Sequence, residues 1–322
     1  MRWLKTFWFL IALAAAIVLA YLAPGLPLRL GSAAGAIRTA AIIGVFAIGG
    51  LTLPTRTLRN AIGHGRLHLY IQGFNLALIP AIAWGLRWLL LRGGMHPDLA
   101  DGFVILACVP TTVASCVAMT AMARGNVAGA ICNSTLGNLL GVFVSPLLVY
   151  LLLATLGTLE WGRILRGLGM LIVLPTVVGQ LVRFPFRAWF DARKAGLTML
   201  SQVCLLVVIY LVFASTFSLE FALSAASLLL VVSLVASLHV LLLALNWRLS
   251  AMPCWAFTRA DRIAALLCGT QKTVAMGIPL ILVIYDHGPQ TGLISIPLLC
   301  YHPLQLLIGT FLALQFASVK QV

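Results

Sequence analysis

The residues that could do chemistry begin with LLCGTQKTVAMGIPL, Leu266 to Leu280, which places Lys272 near the middle of a run that is apolar from about Ile263 to Tyr285. A run of that length can cross a bilayer as a helix. A lysine at its centre costs about 2.5–3.5 kcal/mol on insertion scales and needs oxygen acceptors or an anion beside it. Other polar side chains fall at similar depth in their own apolar runs. They are Asn75; Thr111, Thr112 and Ser115; Asn133, Ser134, Thr135 and Asn138; Thr270, Gln271 and Thr273; and His302 and Gln305. Amide and hydroxyl groups can hold an oxyanion or a hard cation. Their ordinary role is to bond between packed helices, at only about 0.6 kcal/mol each. Their concentration in five segments points to a site instead. Asn75, Thr111, Thr112, Asn133, Asn138, Lys272, Thr273 and His302 are the candidate substrate contacts. Ser134 and Asn138 are four apart and share a helix face.

Snorkelling does not explain Lys272. Arg262, near the expected interface, is ten residues earlier, about 15 Å along a helix. A lysine stem covers less than half of that. Carbonyls freed by helix breaks, Gln271, Asn133, Asn138 or an anionic substrate are the expected compensation. His239 and His302 read as packed, hydrogen-bonded side chains, His302 with the stronger claim to function. Asn246 is expected at the cytoplasmic end of its span.

These residues must be positioned by membrane helices. The 322-residue chain is 62% apolar and 9% charged, against about 25% charged in ordinary soluble domains, and its mean hydropathy is +1.08. Windows of about 20 residues give ten spans, at 7–24, 33–53, 67–91, 103–122, 127–154, 164–182, 197–217, 223–245, 263–285 and 291–316. The chain reads as an all-α polytopic membrane protein in the lipid bilayer. Its N-terminus has the basic start and apolar core of a signal peptide, but further spans follow at similar spacing, so an uncleaved first helix is expected.

Charge orients the spans. Arg2, Lys5, Arg56, Arg59, Arg66, Arg124, Arg183, Arg187, Arg193, Lys194, Arg248, Arg259, Arg262 and Lys320 fall on the side of the N-terminus. Only Arg29, Arg38, Arg87, Arg92, Arg163 and Arg166 fall on the other. The positive-inside rule then puts both termini in the cytoplasm. Arginine outnumbers lysine 17 to 4, which fits a GC-rich bacterial genome and hence a bacterial inner membrane. The net charge of +14 is spread over short patches, so nucleic acid is not an expected partner. The acids Asp98, Asp101, Glu160, Asp191, Glu220, Asp261 and Asp286 map to loops or helix ends, leaving no carboxylate at membrane depth. The cysteines show no metal-ligand spacing, so no metal and no cofactor are expected. A membrane enzyme would need His, Asp or Glu clustered at one face, and the loops offer mainly arginines.

Ten spans divide into two sets of five. An odd-numbered unit repeated in tandem takes opposite orientations, the inverted-repeat plan of many carriers, with binding at the midplane on interrupted helices. The fourth span carries ACVPTTVASC with Pro110. The ninth, fourth in its half, carries CGTQKTVAMGIP with Gly269, Gly277 and Pro279. Proline removes a backbone donor and frees carbonyls, and such breaks are tolerated only where protein encloses them.

Several blocks resemble the bile acid:sodium symporter family, in its SBF-like branch. They are GGLTLPTRTL, FNLALIPAIAWGL, CVPTTVASCVAMTAMARGNVAGAICNSTLGNLLGVFVSPLL and CGTQKTVAMGIPL. The resemblance implies one transmembrane carrier domain with a panel, spans 7–53 and 164–217, and a core, spans 67–154 and 223–316, where the broken fourth and ninth helices cross. It implies alternating-access transport of a small or amphipathic organic anion, with sodium bound beside the crossing. The family's ninth-helix pattern E-x-G-x-Q-N corresponds to Leu267, Cys268, Gly269, Thr270, Gln271 and Lys272. Its fourth-helix Ser-Asn corresponds to Ser115 and Cys116, and its third-helix glutamine to Asn75. In the fifth helix Ser134 keeps a hydroxyl at one ligand position, while Ala130 has none at another. Ser115, Ser134, Gln271 and Lys272 are therefore the expected ion site or ion surrogate. With the glutamate absent, Lys272 is expected to stand in for sodium, and transport to be sodium-independent or coupled to protonation of that lysine. Direct pairing of Lys272 with an anionic substrate is the rival role. A sodium symporter using the remaining ligands, an arsenite-type efflux carrier using Cys108 or Cys116, and a non-transporting sensor or scaffold are the alternatives. A monomer is the expected form.

Overall fold

A computed structural model describes residues 2–52, 65–153, 161–218, 224–285 and 290–318. Of the residues placed above, Arg56, Arg59, Glu160, Glu220, Asp286, Lys320 and the part of GGLTLPTRTL from Leu53 onward lie outside the described residues. Every element described is helical. In chain order they are α1 (Arg2–Leu22), the short α2 (Leu26–Leu30), α3 (Ser32–Thr52), α4 (Gly65–Arg92), α5 (Pro97–Cys108), α6 (Ala114–Met122) and α7 (Val127–Leu153). They continue with α8 (161–183), α9 (Arg187–Ala192), α10 (Lys194–Phe217), α11 (Ala225–Leu249), α12 (Arg259–Thr270), α13 (Val274–Ile284) and α14 (Thr291–Ser318).

Among the described residues, eight helical segments are long and apolar enough to cross a membrane, with α12 and α13 together forming one of them. The two other expected spans coincide with α1, whose apolar part is Ile11–Leu22, and with the α5–α6 pair, where the chain leaves helical geometry. The ninth span differs from its peers. Its most apolar stretch is 89% buried, against 28% to 44% for the other seven. A helix so enclosed can carry a charge and a break that lipid would not tolerate.

The chain divides into two compact units. The first comprises Met1–Leu53, Thr158–Leu223 and Ile278–Leu293. In it α3 lies against α8 at almost no distance. A Cβ on Gly50 would sit 2.2 Å from the Thr176 carbonyl oxygen, and one on Gly179 would sit 2.2 Å from that of Ala47. Small residues here let two backbones touch, the usual device where lipid removes the hydrophobic drive to associate. The segment Ile278–Leu293, read above as part of 223–316, groups with this unit. Val283 reaches Gly167, and Gly292 leaves no room for a methyl beside Thr216.

The second unit comprises Pro54–Gly157, Ser224–Gly277 and Ile294–Val322. Local signals fix its helix starts. Thr258 and Asp261 form a reciprocal capping box on α12. The Asn126 side chain accepts from the Gly129 amide at 2.8 Å at the start of α7 and donates to Asp261 at 2.7 Å. Asp101 corrects an expectation. It lies one turn into α5 and is buried, held by the Arg87 guanidinium at 2.6 Å. Pairing with a cation from α4 makes that burial tolerable.

Candidate functional site

Two breaks in the second unit build the site. Helix α5 ends at Cys108, and Val109 turns extended at φ −78°, ψ 150°. Helix α12 ends at Thr270, and Gln271 turns extended at φ −79°, ψ 149°. The two breaks have the same local geometry and touch: the Thr273 amide donates to the Pro110 carbonyl at 2.9 Å. Pro110 lies in its break as expected, whereas Gly277 and Pro279 lie inside α13. Gly277 serves packing, since a Cβ there would meet Leu298 at 2.3 Å.

Every broken helix end strands carbonyls that need donors. Lys272 supplies them. Its Nζ donates to the carbonyls of Ala107 at 2.6 Å and Val109 at 2.9 Å, and contacts the carbonyl and side-chain oxygens of Asn75 at 3.0 and 3.1 Å. Lys272 is only 1% exposed. Three ammonium protons facing four oxygens leave no donor over. The partial negative charge at the α5 C-terminus adds to the attraction.

The third carbonyl is free for a reason written in the sequence. Between Phe74 and Leu78 the helix α4 widens into a π turn, and the Ile79 amide bonds back to Phe74 rather than Asn75. The residue that would then serve the Asn75 carbonyl is Pro80, which has no N–H. Helix α8 repeats the pattern, with a π turn at Gly169–Val173 ahead of Pro175.

Side chains also serve the last two carbonyls of α12. The Asn75 amide donates to the Gly269 carbonyl at 3.1 Å, and Tyr301 donates to that of Thr270 at 2.6 Å. Gln305 clamps the backbone of Lys272, accepting from its amide at 2.7 Å and donating to its carbonyl at 2.8 Å. Gln271 turns the other way, its oxygen accepting from Thr112 at 2.8 Å and Ser115 at 3.0 Å. Thr112 and Ser115 also lie against each other, so their two protons serve three contacts, one shared between the hydroxyls and one given to Gln271.

The candidate residues thus fall into groups. Asn75 and Lys272 meet directly, and Thr112, Ser115 and Gln271 form a second cluster. Asn138 bridges the Thr111 and Ser134 carbonyls at 2.7 and 2.8 Å. Thr273 joins the breaks through its backbone. His302 lies beside Gln305, with 2.9 Å between ring and amide nitrogens. Asn133 and Ser134 bond back to their own helix, to Gly129 and Ala130. Neither Asn133, Asn138 nor Gln271 is a partner of the ammonium, contrary to what their depth suggested; freed carbonyls do that work. The sequence reading did not single out Tyr301, which links His239 at 2.8 Å to the α12 terminus. It also did not single out the Asn75 backbone, although Pro80 five residues on was the available signal.

Comparison with known proteins bears on this arrangement. Residues 7–318 match the description of the SBF-like CPA transporter family. The chain belongs to that family. Mouse sodium/bile acid cotransporter 7 is 35% identical over 308 residues, covering 95% of this chain and 91% of the mouse protein. Sodium/bile acid cotransporter 7-B of Xenopus laevis is 33% identical over 316 residues, covering 96% and 91%. An uncharacterized protein of Pseudomonas aeruginosa is 31% identical over 276 residues, covering 85% and 82%. As an SBF-like family member the chain is a secondary transporter and a multi-pass membrane protein, and its buried lysine lies where two interrupted helices of that transporter meet.

Proposed function

We propose that this SBF-like carrier moves a small or amphipathic organic anion by alternating access, with the first unit as panel and the second as core, and that Lys272 replaces a bound cation at the crossing. One observation carries the reading. The ammonium fills a shell of four oxygens, three of them backbone carbonyls released by the α5 end and the π turn. Such a shell suits a hard cation, and a fixed positive charge within it repels a second one. The position corresponding to the family glutamate supports the same view. Leu267 is 1% exposed and sits in an apolar cluster with Met119, Ala123, Ile263 and Ala313. The saturated ammonium favours this role over direct pairing with substrate. The substrate contacts proposed are then Thr111, Thr112, Asn133, Asn138, Thr273 and His302, with Asn75 and Lys272 as frame; Ser115, Ser134 and Gln271 belong to the ion-surrogate region. The protein is proposed to sit in a bacterial inner membrane, as a monomer, with both termini in the cytoplasm.

The test is uptake into proteoliposomes of a labelled organic-anion panel that includes taurocholate, because the animal relatives are named for bile acid. Each anion is measured with an inward sodium gradient and with choline in its place. Equal rates are expected for any anion carried. Several-fold stimulation by sodium would refute the surrogate role, and no uptake of any anion would refute the substrate class.

A further inference from the structure

Away from the crossing, the second unit carries a cleft of about 580 Å³ between α4 and α11, lined by Ile82, Gly85, Leu86, Trp88, Leu89 and Leu234, with Ser237, Leu238 and Leu241 completing it. Gly85 carves it: a Cβ at that position would meet nothing within 4 Å. Eight of its nine lining residues are apolar or glycine, so along most of its length the cleft suits an apolar chain, with the Ser237 hydroxyl as its one polar side chain. Its α4 wall from Ile82 to Leu89 rises about 10 Å.

At one end the chemistry changes. Arg92, in the last turn of α4, lies with its guanidinium 3.7 Å above the ring of Trp88. Trp88 is 53% exposed, and tryptophan concentrates at the level of lipid headgroups. Among the described residues no carboxylate pairs with Arg92. A planar guanidinium stacked on an aromatic ring keeps its outer N–H groups free and matches phosphate bidentately.

We propose that this cleft is a binding site for a phosphoglyceride, with one acyl chain lying along Gly85 between α4 and α11 and the phosphate on Arg92. Charge complementarity selects the occupant. An apolar slot ending in a cation that pairs with no carboxylate among the described residues fits a molecule with an apolar chain and one anionic head. The proposal is independent of how the carrier is coupled.

The experiment uses the full chain, purified in maltoside detergent and stripped of lipid. Binding of phosphatidylglycerol is followed by native mass spectrometry, with diacylglycerol as the phosphate-free probe. Three variants are compared with the wild type. Arg92→Gln removes the cation. Gly85→Phe fills the cleft, and the open space at that position allows it to fold. Leu181→Phe alters an exposed apolar position in the first unit and serves as the control. Phosphatidylglycerol is expected to bind wild type and control alike and at least about tenfold more weakly to Arg92→Gln, the loss of a charge-assisted contact. Gly85→Phe should weaken both lipids. Equal binding by all three variants, or diacylglycerol binding as tightly as phosphatidylglycerol, would overturn the proposal.

Discussion

Replacing Lys272 with methionine keeps an unbranched side chain and deletes the ammonium. The carbonyls of Asn75, Ala107 and Val109 then lose their donor in a place sealed from solvent. The Asn75 side-chain oxygen can turn elsewhere, but the three carbonyls are fixed by the π turn and the α5 terminus. A buried acceptor left unpaired costs about 1–3 kcal/mol. Water entering the vacated space brings the total toward the low end, about 3 kcal/mol, which in a chain of this length should lower the melting midpoint by roughly 4–5 °C. The sharper readout is ion dependence. Lys272→Met leaves a neutral oxygen shell that a hard monovalent cation can enter, and a ligand held at a hundred times its dissociation constant returns about 2.7 kcal/mol. Thermal unfolding in detergent, in choline, sodium or potassium chloride at equal ionic strength, should show the variant recovering with sodium or potassium. The wild type should be indifferent. A wild type stabilised by sodium, or a variant blind to every cation, would refute the idea that the lysine occupies a cation's place.

Four further outcomes follow from the same geometry. Gln305→Leu removes both bonds to the Lys272 backbone and should cost about 1–3 kcal/mol in thermal unfolding. Gly102→Ala drives a methyl to 2.4 Å from the Ile294 carbonyl and against Pro297, so folded yield on size-exclusion chromatography should collapse. Gly50→Ala and Gly179→Ala should each separate α3 from α8, lowering the midpoint by amounts that do not add in the double variant, because both act on one contact. Pro80→Ala supplies the missing N–H, so it should reduce transport in proteoliposomes despite removing a proline from a helix interior; an unchanged rate would detach the π turn from the site.

What the sequence made legible, and what it hid, divides along a physical line. Composition identifies most of the membrane helices, because runs of about 20 apolar residues stand out whether lipid or protein surrounds them. Lys272 and Pro110 mark the breaks because each is costly in a helix and so signals a local exception. The partners of Lys272 are another matter. Asn133 and Asn138 are polar and at the right depth, yet an amide four residues along a helix can bond to its own carbonyls. Both do so, to Gly129 and Ser134. Two of the three residues that hold the lysine carry no side-chain label: Ala107 and Val109 contribute through the backbone alone, while Asn75 contributes its carbonyl and its side-chain oxygen alike. A carbonyl becomes available only when its usual donor is lost, and that loss is written elsewhere, at Pro80 for Asn75 and in the end of α5 for the other two. Asp101 teaches the same lesson from the opposite side. Its neighbours in sequence say loop end, while Arg87 from another helix is what allows it to be buried. To read a buried charge in such a chain, the useful question is which backbone groups the prolines have orphaned nearby. Here that question leads from one proline to the oxygen cage around one lysine.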